Sequence, residues 1–221
     1  MEEKLRSCVL FSGLSAQAIA ELLPLGRRQT YAKGQVLLAP RQRLDQLSVV
    51  VDGCVQLFHL FADGQRSLLG VVEQSEVFGA ELVCTPTRLS PYHAVCSAHT
   101  TLLSFPAEVF LQPGRLSEAT RQTVCAQLLK LVANETVKKD YRLAILSQNG
   151  LRARIWTYLT MQADKRGQDS FAIPFSREDL ASFLCVNRSA LSHELSKMAQ
   201  DGLILFRKNQ FTILKRGLSH E

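Results

Sequence analysis

The chain has 221 residues, 46% of them hydrophobic and 21% charged, which is typical of a folded globular chain with one large or two modest domains. Its formal net charge is +6 and its sequence pI is about 9.1, values that suit a polyanionic partner without identifying one. No apolar run approaches the roughly 20 residues of a membrane span, and no apolar signal core follows the first residues, so we expect a cytoplasmic protein with no membrane partner.

The first half of the chain changes from a helical to a strand pattern. Residues 4–26 are predicted to be helical, with Ser15 as an N-cap. From residue 29 to 105, short apolar runs alternate with turn residues, a pattern that indicates antiparallel strands closed into a β-roll or barrel. The predicted strands and turns are 31–37, 47–51, 55–61 with a hairpin turn at 62–65, 68–72 and 94–103.

A helical pattern resumes near residue 107, is interrupted at Pro113 and Gly114, and restarts at Ser117 to run to about residue 146. A helix of that length spans about 45 Å and cannot bury its apolar stripe within its own small domain. The simplest partner is its own copy. The sequence therefore predicts a parallel homodimer through helix 117–146.

The last third of the chain carries eleven Lys and Arg against seven Asp and Glu, counted over residues 149–221. Residues 147–150 are predicted to form a hinge, followed by a helix over 151–163 and a short strand over 171–175. Two short helices then follow, the first capped by Ser176 and the second by Asn187. Apolar runs at 203–206 and 211–214 flank a basic turn, so the predicted unit is a winged helix-turn-helix.

The second helix of that pair has an informative outer face. Five side chains of short or moderate reach, with Ser196 as the last, fall on it, whereas an ordinary solvated helix would more often carry Glu and Lys there. Donors and small residues near a helix N-terminus suit a helix in the major groove. The predicted base-reading residues are Arg188, Ser189, Ser192 and His193. The predicted phosphate contacts are Ser176, Arg177, Lys197, Arg207 and Lys208.

Three runs carry a resemblance to a known family. They read Ser-Arg-Glu-Asp-Leu-Ala, Val-Asn-Arg-Ser-Ala-Leu-Ser-His-Glu-Leu and Asp-Gly-Leu-Ile, and together they resemble the DNA-binding domain of the CRP/FNR family of bacterial transcription regulators. Arg188 matches the first base-reading arginine of that family. Ser189 stands where many members have glutamate, His193 where many have a second arginine, and Cys185 where glycine is common, so the usual target half-sites are not implied.

The β-rich region resembles the effector domain of the same family, which has the cyclic-nucleotide-binding fold. The matching runs are Lys33-Gly34-Gln35, Asp52-Gly53-Cys54-Val55, Asp63-Gly64-Gln65 and Gly79-Ala80-Glu81-Leu82. The resemblance implies an α+β protein with an N-terminal antiparallel β-roll (a double-stranded β-helix), a long dimerisation helix and a C-terminal winged helix-turn-helix. We expect the domains to be residues 1–113, 114–147 and 148–221.

The resemblance also implies an effector pocket. Departures from the family pattern argue against two effectors known in the family, cyclic AMP and an iron–sulfur cluster. Nucleotide-binding members hold the cyclic phosphate with an Arg-Ser or Arg-Thr pair, and the matching pair here is Ser90-Pro91. Pro91 offers no donor, so cyclic AMP is not expected. Only Cys8 lies near the N-terminus, so an iron–sulfur cluster is not expected either. The candidate pocket residues for an unidentified small molecule are Gly79, Glu81, Arg88, Ser90, Asn134 and Thr136.

The expected mechanism is a ligand-controlled change in the spacing of two recognition helices on a near-palindromic site, with RNA polymerase as a further partner of an activator. Two other classes stay open. One is a ligand-sensing module that no longer binds DNA. The other is a cysteine-based enzyme, since His59, His93 and His99 share a domain with four cysteines, although no Cys–His motif is present. The six cysteines fit no zinc or iron–sulfur spacing, so no metal and no certain cofactor are expected.

Overall fold

The computed structural model describes residues 5–62 and 64–215, so Asp63, which we placed in a hairpin turn, lies outside the described residues. The chain forms two compact units. One comprises residues up to 64 together with Leu69–Lys138, and the other comprises Gln65–Leu68 together with residues from 139 onward. The boundary between the units falls within the long helix. The three-domain division expected above remains a prediction.

The N-terminal helical region is shorter and more broken than predicted. Helix α1 covers Ala16–Leu22, between 3-10 turns at Val9–Phe11 and Leu23–Leu25. Ser15 is its N-cap as expected, because the Ser15 side chain accepts a hydrogen bond from the backbone N–H of Ala18 at 3.1 Å. A single helix over 4–26 is wrong, since Gly13 takes a left-handed φ of 84° and stops the chain from continuing as one helix.

Within the described residues, eight strands form two four-stranded antiparallel sheets in the β-roll. One sheet has the order β1-β8-β3-β6 and the other β2-β7-β4-β5. The predicted strand over 94–103 is two strands, because residues 97–99 turn the chain from one sheet into the other. The strand bounds are β1 Arg27–Tyr31, β2 Val36–Leu38, β3 Gln46–Asp52, β4 Val55–Leu60, β5 Arg66–Val72, β6 Val77–Phe78, β7 His93–Cys96 and β8 Thr100–Pro106.

Strand β3 separates two hydrophobic clusters because its side chains alternate between its two faces. Leu47, Val49 and Val51 pack with the N-terminal helical turns and with the long helix that follows the β-roll, whereas Val50 packs in a second cluster with residues of the other sheet. Strand β3 pairs with β8, and between them the buried hydroxyls of Ser48 and Ser104 are 2.7 Å apart. The pair satisfies two groups that would be costly to bury alone.

Three helices follow or interrupt the strands of the β-roll: α2 (Ala80–Val83), α3 (Glu108–Leu111) and α4 (Glu118–Leu146). The prediction of one long helix is confirmed, and α4 has 29 residues. Val124 and Leu128 of α4 are buried in the β-roll core. Within the described residues, no helix is both long and apolar enough to cross a membrane.

The C-terminal unit is a winged helix-turn-helix, as predicted. Its elements are α5 (Leu151–Arg166), β9 (Ser170–Ala172), α6 (Arg177–Phe183), α7 (Arg188–Gln200), β10 (Ile204–Arg207) and β11 (Gln210–Ile213). The sheet order is β10-β11-β9. Helix α5 runs three residues beyond the predicted end because Gly167, at φ 65°, caps it. The predicted strand over 171–175 is limited to β9, which ends before Pro174.

Candidate nucleic-acid interface

The start of α7 is defined by local side-chain hydrogen bonds. The Asn187 side chain accepts from the backbone N–H of Ala190 at 2.7 Å, which satisfies one of the free donors at the helix N-terminus. Cys185 makes the preceding turn with a φ of 56°, a left-handed value that explains why glycine suits this position. The turn and the cap set the angle at which α7 leaves α6.

Helix α7 has one buried and one exposed face. Leu191, Leu195 and Met198 are fully buried against the rest of the unit. On the opposite side the predicted base-reading residues lie together: Arg188, Ser189 and His193 are exposed and Ser192 is half-buried. The Ser196 hydroxyl donates back to the Ser192 carbonyl at 3.0 Å. The exposed N-terminal half of α7 therefore presents one cation, an imidazole and hydroxyl groups, with the charge nearest the helix N-terminus.

An ion-pair cluster that the sequence analysis missed holds α7 against α5. Arg152 of α5 contacts the Glu194 carboxylate at 2.6 Å and the Asp201 carboxylate at 2.6 Å. Hydrogen bonds to Glu194 and Asp201 raise the pKa of Arg152, so its charge is secure at any physiological pH. Glu194 lies 42 residues from Arg152 in sequence, so no local pattern could have paired them. The cluster joins α5 to α7 and to the residue that caps the C-terminus of α7.

The wing is a tight hairpin with a basic tip. Arg207 and Gln210 pair across it, so the turn itself contains only Lys208 and Asn209, two residues fewer than predicted. Both basic side chains, Arg207 and Lys208, are exposed. Lys208 takes a φ of 54°, a left-handed conformation that costs a non-glycine residue roughly 1–2 kcal/mol. A cation is thus retained at a position where glycine or asparagine would be less strained.

Two of the predicted phosphate contacts are engaged within the protein. The Ser176 hydroxyl accepts from the Asp179 N–H at 3.1 Å and the Asp179 carboxylate accepts from the Ser176 N–H at 3.3 Å, which completes a capping box for α6. The Ser176 hydroxyl also donates to the Asp179 carboxylate at 2.7 Å. Arg177 donates to the Lys208 carbonyl at 3.0 Å. The other three predicted contacts, Lys197, Arg207 and Lys208, are exposed.

In the β-roll, two of the predicted effector residues are bonded to Tyr92. The buried Tyr92 hydroxyl donates to the Glu81 carboxylate at 2.6 Å. The Ser90 hydroxyl, also buried, donates to the Tyr92 carbonyl at 2.7 Å and accepts from its N–H at 3.2 Å. Burial and the nearby Glu81 carboxylate raise the pKa of Tyr92, so the phenol stays a neutral donor. Ser90 is therefore bonded to the backbone of Tyr92, and one oxygen of Glu81 is bonded to its side chain.

The remaining candidate pocket residues lie in three different local environments. Arg88 contacts Asp45 at 3.0 Å and Glu108 at 2.8 Å, and hydrogen bonds from Arg88 lower the pKa of both carboxyl groups. Gly79 has a φ of 88°, and a Cβ there would meet the Leu44 side chain. Asn134 and Thr136 lie exposed on α4. An open cleft of about 420 Å³ is lined by other residues, among them Leu37, Gln42 and Pro106.

Among the histidines and cysteines considered above, His93 is half-buried and Cys8 is buried. His93 stacks on Phe58 with the ring centroids 5.3 Å apart. Cys8 is buried, and burial raises the pKa of its thiol to about 11, which disfavours a thiolate nucleophile. No group of three or more His, Cys, Asp or Glu residues that could hold a metal ion occurs in the part of the chain that the structure describes.

A β-roll joined to a winged helix with a basic reading face defines the class of protein, a transcription regulator with a helix-turn-helix DNA-binding domain. Family models agree with this. The cyclic nucleotide-binding domain model matches residues 28–113 and the Crp-like helix-turn-helix domain model matches residues 153–217. The chain belongs to the CRP/FNR family, whose members are transcription regulators that bind DNA and act as dimers.

Several relatives match over most of the chain. The CRP-like cAMP-activated global transcriptional regulator of Mycobacterium tuberculosis is 23% identical over 216 residues, 92% of this chain and 91% of the relative. The nitrogen fixation regulation protein FixK of Bradyrhizobium diazoefficiens is 22% identical over 205 residues, which cover 90% of this chain and 83% of the relative. The c-di-GMP responsive regulator CLP of Xanthomonas campestris shares the fold, with a TM-score of 0.71, 16% identity and coverage of 91% and 100%.

Proposed function

We propose that this protein is a homodimeric, sequence-specific regulator that reads a near-palindromic DNA site with α7. The observation that carries the proposal is the exposed N-terminal half of α7. There Arg188, Ser189 and His193 face outward while the opposite side of the helix is fully buried. An arginine near the N-terminus of such a helix suits bidentate donation to a guanine edge, a contact worth about 1–3 kcal/mol of discrimination. Ser192 and His193 would read neighbouring base edges.

Phosphate contacts would come from Lys197 on α7 and from Arg207 and Lys208 at the wing tip, all exposed cations. Such contacts set register and affinity without reading sequence. The strained backbone of Lys208 supports this role, since a purely structural turn would favour glycine there. Ser176 would act indirectly, by ordering the N-terminus of α6.

Dimerisation through α4 is supported by an exposed stripe with the alternating spacing of three and four residues that coiled coils use. Leu129 is 72% exposed and Leu143 66% exposed in the single chain, high values for leucine. We define the seam as the set of exposed α4 residues at these spacings: Gln122, Ala126, Leu129, Ala133, Thr136, Asp140 and Leu143. A second copy of α4 is the occupant that gives every seam residue an equivalent partner.

For the effector, we propose that cyclic AMP is not the ligand. Pro91 stands where the family uses a donor, and the Glu81 and Ser90 side chains are hydrogen-bonded to Tyr92. The named effectors of relatives differ, since one relative is cAMP-activated and another is c-di-GMP responsive. Isothermal titration of the protein with cyclic AMP is expected to give no binding. Micromolar binding would overturn this part of the proposal.

The main test is selection of bound sequences from a random duplex library by the purified protein at two salt concentrations. A two-fold symmetric motif with half-sites about one helical turn apart is the expected result. Arg188→Ala should relax preference at one base position in each half-site. Lys208→Ala should weaken all sequences alike and reduce the salt dependence of binding by about one ion.

Two outcomes would contradict the proposal in different ways. Unchanged sequence preference in Arg188→Ala would show that α7 is not in the assumed register. Retention of the library without any enrichment, repeated in the presence of extracted small metabolites, would favour the alternative of a ligand-sensing module that no longer reads DNA.

A further inference from the structure

Arg177 makes an unusual set of contacts at the base of the wing. Its guanidinium carbon lies 5.0 Å from the ring centroid of Phe206 and 5.6 Å from that of Phe211. These two rings stack on each other with centroids 6.0 Å apart and planes inclined by 23°. One guanidinium N–H group donates to the Lys208 carbonyl at 3.0 Å. Arg177 therefore contacts both wing strands and the turn that joins them.

The contacts link a fixed helix end to the hairpin. Arg177 is the first residue of α6, and the capping box of Ser176 and Asp179 fixes the conformation of that helix end. The other side of the wing is anchored by Asn209, whose side chain donates to the Ile173 carbonyl at 3.1 Å and whose own carbonyl accepts from the Ile173 N–H at 2.9 Å. The tip residue Lys208 is thus held between two anchors, and its strained φ is maintained by both.

The electrostatic environment of Arg177 differs from that of the exposed cations. Burial, and secondarily the positive charge of Arg188, lowers the pKa of Arg177. Its side chain is half-buried, whereas Arg188, Arg207 and Lys208 are exposed. A planar guanidinium can lie over two rings and donate within its plane at the same time, which a lysine ammonium cannot do.

We infer that Arg177 is a positioning residue that sets the wing tip, so that Arg207 and Lys208 meet the DNA backbone, and that it is not itself a phosphate contact. The inference rests on the proposed DNA-binding function and deepens it. It assigns the wing's orientation to a helix residue 31 positions away in sequence. The recognition helix α7 keeps its cap and its buried face without Arg177, so base preference does not depend on this residue.

Two variants separate positioning from phosphate contact. Arg177→Lys keeps the positive charge but removes the planar group, and Arg177→Gln removes both. If Arg177 positions the wing, both variants lose affinity to a similar extent, on the order of ten-fold, with unchanged base preference. Hydroxyl-radical footprinting should show lost protection at the wing-contacted backbone only. Adding Lys208→Ala to Arg177→Lys should cost less than the sum of the single changes.

A matched control is Arg166→Lys. Arg166 lies over Phe171 in the same unit, with its guanidinium carbon 5.5 Å from the ring centroid, but its hydrogen bonds are to Gln162 rather than to the wing. This variant should bind DNA like the unmodified protein. Near-normal binding by Arg177→Lys together with weak binding by Arg177→Gln would identify a phosphate contact and overturn the inference.

Hydrogen exchange measured without DNA tests the positioning role of Arg177 independently of the proposed DNA-binding function. Amide hydrogen exchange at Arg207 and Gln210, which pair across the hairpin, should accelerate about ten-fold in Arg177→Lys and stay unchanged in Arg166→Lys. If the unmodified protein binds no duplex but exchange responds as expected, only the proposed function fails. Unchanged exchange at both amides would reject the positioning role whether or not the protein binds DNA.

Discussion

The predicted base-reading residues of α7 and the predicted pocket residues of the β-roll lie in different environments. The residues predicted to read bases lie together on the exposed face of α7. In the β-roll, the Glu81 and Ser90 side chains are bonded to Tyr92, and Arg88 is paired with Asp45 and Glu108.

The contrast arises because DNA is contacted by an exposed helix face, whereas a small molecule binds in an interior pocket. A groove-reading helix presents its side chains outward from a capped helix, so helical periodicity alone brings them together. A pocket is an interior space, and whether it is open depends on residues that arrive from distant strands. Tyr92 carries no motif, yet it hydrogen-bonds two of the predicted ligand residues, Glu81 and Ser90.

The largest effect is expected when Tyr92 is removed. Tyr92→Ala should lower the free energy of unfolding of the β-roll by about 3–5 kcal/mol, and Tyr92→Phe by about 1 kcal/mol, since only the hydroxyl contact with Glu81 is lost. Denaturant titration followed by circular dichroism measures both. Tyr141→Ala is the control, because Tyr141 is 56% exposed and should cost little. A small loss in Tyr92→Ala would mean that the side chain does not fill the interior.

A charge placed in the seam tests whether α4 packs against a second copy of itself, as proposed. Leu129→Glu would place two carboxylates face to face at the two-fold axis, which costs several kcal/mol. The dimer dissociation constant should rise at least about 100-fold in sedimentation velocity. Leu89→Glu changes another exposed leucine, 46% accessible and outside α4, and should leave the dimer intact. Equal dissociation in both variants would remove the seam as the interface.

Breaking the ion pairs of Arg152 should show how far DNA affinity depends on the position of α7 rather than on the side chains of its exposed face. Arg152→Met leaves Glu194 and Asp201 without their cation and should lower stability by roughly 1 kcal/mol, because the pairs are partly exposed. Specific DNA affinity should fall several-fold with the salt dependence unchanged, as measured by fluorescence anisotropy. Arg121→Met, which breaks an ion pair with Glu118 on α4, serves as the control. A changed salt dependence in Arg152→Met would instead identify Arg152 as a phosphate contact.

The smallest expected effect is that of Lys208→Gly, which should raise stability and weaken DNA binding. Lys208→Gly relieves a left-handed φ and should stabilise the C-terminal unit by up to about 1 kcal/mol. The same change removes a wing cation and should weaken DNA binding uniformly. Arg207→Ala should weaken binding without any gain in stability. Thermal unfolding and binding titrations of both variants test this, and a loss of stability in Lys208→Gly would show that the turn does not strain Lys208.

Local pattern was sufficient for much of this protein. Ser15, Ser176 and Asn187 cap the helices that they were predicted to cap, the long helix ends at Leu146, and the wing has its basic tip. These features depend on side chains three or four residues apart, whose geometry a helix or hairpin dictates by itself.

Features that join distant residues were decided only by the tertiary structure. The split of the predicted strand over 94–103, the Tyr92 contacts with Glu81 and Ser90, the Arg152 cluster and the Arg177 contacts with the wing all depend on packing between separate elements. The sequence by itself determined the helix caps, the long helix, the wing and the polar face of α7, because those depend on short-range periodicity. Only the tertiary structure decided which polar groups remain available to a partner, because hydrogen-bond partners in a packed interior come from anywhere in the chain.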